Sequence, residues 1–166
     1  ERVLCETATS IVYLATDHAL EVQVAVKEYM PLQLAWRDTT GQVHPALDRP
    51  TDAWDAGRRA FIGEARLLAR ADHPALMRVL RLWEAEGTAC CVMPYLPGQR
   101  LTDTRESPDW LPPEAQVLQM LDALLGALAN FHAVAGTAHG GVRPSNILVR
   151  PGGMPVLLGP GQASRA

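Results

Sequence analysis

Residues 139–149 read HGGVRPSNILV. The stretch runs from a polar loop into an apolar end. Ile147, Leu148 and Val149 open a short strand over 147–150. The turn Pro151-Gly152-Gly153 then sends the chain back into a second strand over 155–158. Within the loop, His139, Arg143 and Asn146 can donate hydrogen bonds or carry charge, and no carboxylate lies near them in the sequence.

Before this loop, Val117, Leu121, Leu124, Leu128 and Phe131 recur at helical spacing, which predicts a helix over 113–134 stopped by Gly136. The most apolar window, Met120 to Ala138, holds Asp122, Asn130 and His132, so it reads as a core helix rather than a membrane span. Further back, PYLPG at 94–98 suits neither helix nor strand and marks a lobe boundary. Strands are expected over 77–84 and 88–93, joined tightly by Ala85-Glu86-Gly87. Residues 53–70 read as an amphipathic helix with Asp52 as N-cap. Phe61, Ala65 and Leu68 lie on one face, and His73-Pro74 ends the segment. Residues 30–52 form a long connection punctuated by Pro and Gly, either functional or an insertion packed on the surface. Strands over 11–16 and 22–29 flank a turn at Asp17 to Glu21. There is no internal repeat, and the order of elements favours α+β over a doubly wound sheet.

The chain has 166 residues, 48% hydrophobic and 20% charged, enough for one domain or two small lobes sharing a core. A net charge of −3 with scattered basic residues argues against nucleic acid or an anionic membrane as the main partner. Cys5, Cys90 and Cys91 do not make a disulfide framework. They read as buried structural thiols of a reducing compartment, and no Cys/His spacing suggests zinc. Trp36, Trp54, Trp83 and Trp110 share no spacing and read as core or surface anchors. The chain opens on Glu1 without a signal peptide and is expected to be an excerpt of something longer.

VAVK (24–27), FIGEARLLARADHPAL (61–76), VMPYLPG (92–98), HGGVRPSNILV and RPGGMPVLLGPG (150–161) follow one another in an order that resembles the protein kinases. More narrowly, the chain resembles bacterial serine/threonine kinases of the proteobacterial kind, from Leu4 to Gly161. The resemblance implies an α+β, protein kinase-like fold. Residues 1–93 would form an N-lobe of antiparallel sheet and one helix, with 30–52 as insertion, and 94–98 the hinge. Residues 99–166 would form a truncated C-lobe of one long helix and a short two-stranded hairpin.

In that family, a lysine at the place of Lys27 holds ATP phosphates and pairs with a glutamate at the place of Glu64. Val12, Ala25, Met93, Leu96 and Leu148 match the residues around adenine, with Met93 as gatekeeper, and Asn146 matches a magnesium ligand. The more economical expectation for Lys27 and Glu64 is a structural ion pair, for Asn146 a loop-shaping hydrogen bond, and for His139 a core histidine. Three devices are missing. Cys5, Thr7 and Ser10 replace the phosphate-loop glycines, and Gly141 replaces the aspartate that assists the nucleophile, a role worth about 10²–10⁴-fold. Gly159, in Gly159-Pro160-Gly161, replaces the main metal-binding aspartate.

The expectation is therefore a catalytically inactive pseudokinase with weak or absent ATP and magnesium binding and no metal site. It would serve as a protein-interaction or regulatory scaffold in bacterial signalling. The alternatives are a nucleotide or small-molecule sensor using the adenine side, and an atypical kinase recruiting Glu6, Asp103 or Asp122. A partner or a second copy is expected on the apolar face of helix 113–134, and the segment is expected to be cytoplasmic, with a membrane anchor in a longer protein left open.

Overall fold

The computed structural model describes residues 2–46, 51–104 and 112–160. The chain divides into two compact units, Glu1–Arg66 with Val79–Tyr95, and Leu67–Arg78 with Leu96–Ala166.

The first unit is built on five antiparallel strands: β1 (Arg2–Glu6), β2 (Ser10–Asp17), β3 (Val22–Tyr29), β6 (Arg81–Ala85) and β7 (Thr88–Pro94), in the order β1-β2-β3-β7-β6. Its turns are written in the sequence. Asp17 Oδ1 accepts the N–H groups of Ala19 and Leu20 at 2.9 and 3.1 Å, closing the β2–β3 turn. Glu86 and Gly87 take φ of 52° and 77°, the left-handed pair that a two-residue hairpin turn needs. β1 adds a strand to those expected: exposed and half-buried positions do not alternate along it, so no two-residue period marks it in the sequence.

The connection at 30–52 is not structureless. It folds into a hairpin of β4 (Ala35–Arg37) and β5 (Val43–Pro45) with Ala35 and Val43 buried. Arg37 reaches Glu28 of β3 at 2.5 Å, and the Val43 N–H donates to the Glu86 carbonyl at 2.8 Å. Strands of three residues are too short to show alternation, so the sequence hides them. Residues 47–50 of the connection lie outside the described residues.

The helix α1 (Thr51–Arg70) begins two residues earlier than expected, which puts Asp52 in its first turn and not at the cap. Phe61, Ala65 and Leu68 are buried as their spacing predicts. Tyr29 of β3 packs its ring 4.9 Å from Trp54 and 5.9 Å from Phe61, and its hydroxyl donates to the Trp54 carbonyl at 3.2 Å. Gly57 leaves the room for that hydroxyl.

In the second unit, β8 (Gln99–Arg100), β9 (Ile147–Val149) and β10 (Pro155–Leu157) form an antiparallel sheet in the order β10-β9-β8. The expected hairpin is thus present and gains a third strand. A short helix α2 (Leu101–Thr104) follows β8. The strand expected over 77–84 starts only at Arg81. Leu76 bridges Leu157, and the Met77 N–H donates to the Leu157 carbonyl at 2.8 Å, so this apolar run belongs to the second unit.

The long helix α3 (Glu114–Ala135) ends at Gly136, whose φ of 65° lets its N–H return to the His132 carbonyl. It is less of a core helix than its sequence suggests. Met120, Ala127 and Phe131 are buried, while Val117, Leu118, Leu121 and Leu125 are 40–61% exposed. By length and composition alone it is apolar enough to cross a membrane. Its buried side is fixed by close fits: the His73 ring lies where a Cβ on Gly126 would stand, and the Asp72 N–H donates to Asn130 Oδ1 at 3.1 Å.

Candidate functional site

In the first unit the sheet register gathers four of the residues singled out. Val12 lies opposite Lys27, Lys27 opposite Cys91, and Ala25 opposite Met93. Opposed residues share a face, as do positions two apart, so Val12, Ala25, Lys27, Cys91 and Met93 all line one side of the sheet. Cys91 is the member that motif reasoning missed, since only the register reveals it. Burial pushes its thiol up to about 11 and that of Cys90 to about 12, which keeps both protonated and unreactive. Cys91 is buried, but Cys5 and Cys90 are only half-buried, so the expectation of three buried thiols holds for one.

Lys27 Nζ sits 3.2 Å from Glu64 Oε1 and 5.4 Å from the centre of the Phe61 ring. The side chains are 25% and 12% exposed. Burial raises the Glu64 carboxyl, and the adjacent ammonium opposes that rise. The ion pair therefore anchors α1 to β3 with a cation–π contact beside it. Ser10 lies opposite Tyr29, two positions from the Val12–Lys27 pair, and the β1–β2 turn there is closed by the side chains of Thr7 and Ser10.

In the second unit the opening stretch folds around two side chains. His139 is 2% exposed and meets Phe131 edge to face at 4.9 Å. Its Nδ1 accepts the Gly141 N–H at 3.3 Å, which leaves Nε2–H to donate to the Leu158 carbonyl at 3.1 Å. Both ring nitrogens are used by the neutral form, and burial holds its pKa below the usual value. Asn146 ends a 3₁₀ turn over Pro144–Asn146. Its Nδ2 donates to the Gly141 carbonyl at 2.9 Å and to the Gly159 carbonyl at 2.6 Å. Gly141 is buried and Gly140 takes φ of 68°.

Leu96 and Leu148 are half-buried, and Arg143 is exposed. Glu6, Asp103 and Asp122 are all exposed, on β1, α2 and α3. Gly161 and Trp110 lie outside the described residues. Among the described residues, no three His, Cys, Asp or Glu side chains gather as a metal site.

Comparison with known proteins gives a consistent picture. The chain is 35% identical over 89 residues to the serine/threonine-protein kinase pkn2 of Myxococcus xanthus, a match covering 54% of this chain and 10% of that protein. Among solved structures, the apo form of PpkA-294 superposes with a TM-score of 0.88 at 36% identity, over 95% of this chain and 56% of that one. The kinase domain of M. tuberculosis PknI superposes with a TM-score of 0.70 at 25% identity, over 99% and 58%. No protein-family model matches. The chain thus spans a tenth of the curated relative and little over half of each solved chain.

Proposed function

Because the chain has a protein kinase-like fold and is similar to bacterial serine/threonine kinases, we propose that it is a catalytically inactive scaffold of the bacterial cytoplasm. The observation that carries this reading is the Asn146 amide. It spends both N–H groups on the carbonyls of Gly141 and Gly159, the two positions where the resemblance expects carboxylates. Magnesium is a hard cation that wants charged oxygens. One neutral amide between two glycines does not fit it, and phosphoryl transfer depends on such charge neutralisation. The exposed stripe Val117, Leu118, Leu121 and Leu125 of α3 is the surface we assign to a protein partner or a second copy. The test is phosphotransfer from labelled ATP with magnesium or manganese. No transfer is expected, and transfer abolished by Lys27→Met overturns the reading.

One observation favours a second reading, a nucleotide or small-molecule sensor. Val12, Ala25 and Met93 keep one apolar face beside the intact Lys27–Glu64 pair. This reading expects a rise in melting temperature with adenine nucleotides that survives EDTA and is lost in Ala25→Trp.

A further inference from the structure

Consecutive backbone N–H groups that converge at a turn make a concavity suited to an anion. In the β1–β2 turn the N–H groups of Thr9 and Ser10 do converge, but on an oxygen the chain supplies itself. Thr7 Oγ1 accepts from the Thr9 N–H at 3.3 Å and from the Ser10 N–H at 3.0 Å. The same hydroxyl lies 3.1 Å from the Ser10 carbonyl and 2.9 Å from Ser10 Oγ. A threonine hydroxyl has one proton and two lone pairs. The two amides take the lone pairs and the one proton is shared between the Ser10 carbonyl and Ser10 Oγ, so its capacity is full. Backbone bonds hold the turn shut as well, one within it and one from the residue after β3. The Thr7 N–H donates to the Ser10 carbonyl at 2.9 Å, and the Met30 N–H donates to the Thr9 carbonyl at 3.0 Å. Ser10 is 2% exposed, whereas Thr7 faces solvent.

We propose that the Thr7 hydroxyl is an internal ligand of the β1–β2 turn, occupying the place of a phosphoryl oxygen and closing the turn's amides to phosphate. The inference goes beyond the loss of glycines. It gives the substituted residue a positive role, that of a built-in occupant. It also predicts that the closure can be opened by removing one oxygen. It rests on the kinase-like reading only for the choice of phosphate as the excluded ligand, because the closure itself is local geometry.

The experiment is amide hydrogen exchange at Thr9 and Ser10 in the whole chain, with and without inorganic tripolyphosphate. Three proteins are compared: wild type, Thr7→Val and Thr7→Ser. Wild type should be protected at both amides and indifferent to tripolyphosphate. Thr7→Val keeps the branched shape without the hydroxyl and should lose about tenfold in protection, one hydrogen bond's worth. Tripolyphosphate should restore part of that protection. Thr7→Ser keeps the oxygen and should behave as wild type.

Wild-type protection that rises with tripolyphosphate overturns the proposal, as does a Thr7→Val turn as protected as wild type. Amides that are freed in Thr7→Val yet ignore tripolyphosphate also overturn it, since the hydroxyl would then bar nothing. None of these outcomes depends on phosphotransfer, so failure here and failure of the scaffold reading are told apart.

Discussion

At the scale of single residues, the side chains with most chemical promise are tied up in structure. His139 carries a pH signature. Its folded pKa lies below the ordinary 6.5 because burial disfavours the imidazolium. The unfolded chain therefore binds the proton first as pH falls. The stability His139 contributes is whole above about pH 6.5 and is lost as pH drops through the folded value, at up to about 1.4 kcal/mol per pH unit. His139→Gln, which can still donate and accept, should flatten this part of the curve, read as melting temperature between pH 7.5 and 5. An unchanged slope would mean another group sets it. Lys27 and Glu64 give a second prediction. Lys27→Met strands a carboxylate that is 12% exposed and should cost about 1–3 kcal/mol in urea denaturation. Lys27→Met with Glu64→Leu should recover most of that, because a pair replaced by apolar groups of similar size is close to neutral.

At the scale of elements, the hairpin β4–β5 shows what the sequence concealed. It is fastened by Arg37 to Glu28, a carboxylate that is 5% exposed, and by β5 to the β6–β7 turn. Gly87 is where that fastening is least tolerant. A Cβ there would stand 2.2 Å from the Val43 carbonyl oxygen, at a φ of 77° that side chains avoid. Gly87→Ala is expected to destabilise the fold by about 1–3 kcal/mol, seen as a lower melting temperature, while Gly63→Ala, whose Cβ meets nothing within 4 Å, should not. Equal effects would show that the close approach is not what fixes the hairpin. The Gly of the turn was legible as a turn residue. Its second duty, making room for an insertion far away in sequence, was not, because a close approach is a property of two segments at once.

At the scale of the whole molecule, the exposed stripe on α3 is the feature with the widest consequence. Leu121→Glu with Leu125→Lys replaces two side chains that are 50% and 61% exposed. Surface changes of this kind move stability by about 0.5 kcal/mol or less. Folding should therefore survive, while any self-association seen by light scattering, or any capture of a partner, should be lost. A double variant that associates as wild type does would remove α3 from the proposed interface.

The sequence by itself determined the kinase-like order of elements. Motifs such as VAVK, FIGEA and HGGVRPSNILV sit within single elements, and local spacing is enough to read them. It also located β2, β3, α1, α3 and the β9–β10 hairpin, whose periodicity or turn residues run over enough positions to show. Tertiary structure alone decided the rest. Which side of α3 is buried depended on where His73 and Phe131 dock, and the assignment of 76–77 to the second unit depended on a bridge to Leu157. The joint roles of Thr7, Cys91 and Asn146 depended on register and on backbone atoms several residues away. Composition and spacing encode what a residue can do, but hydrogen-bond partners are chosen by the fold, as the Gly141 and Gly159 carbonyls that take the Asn146 amide show.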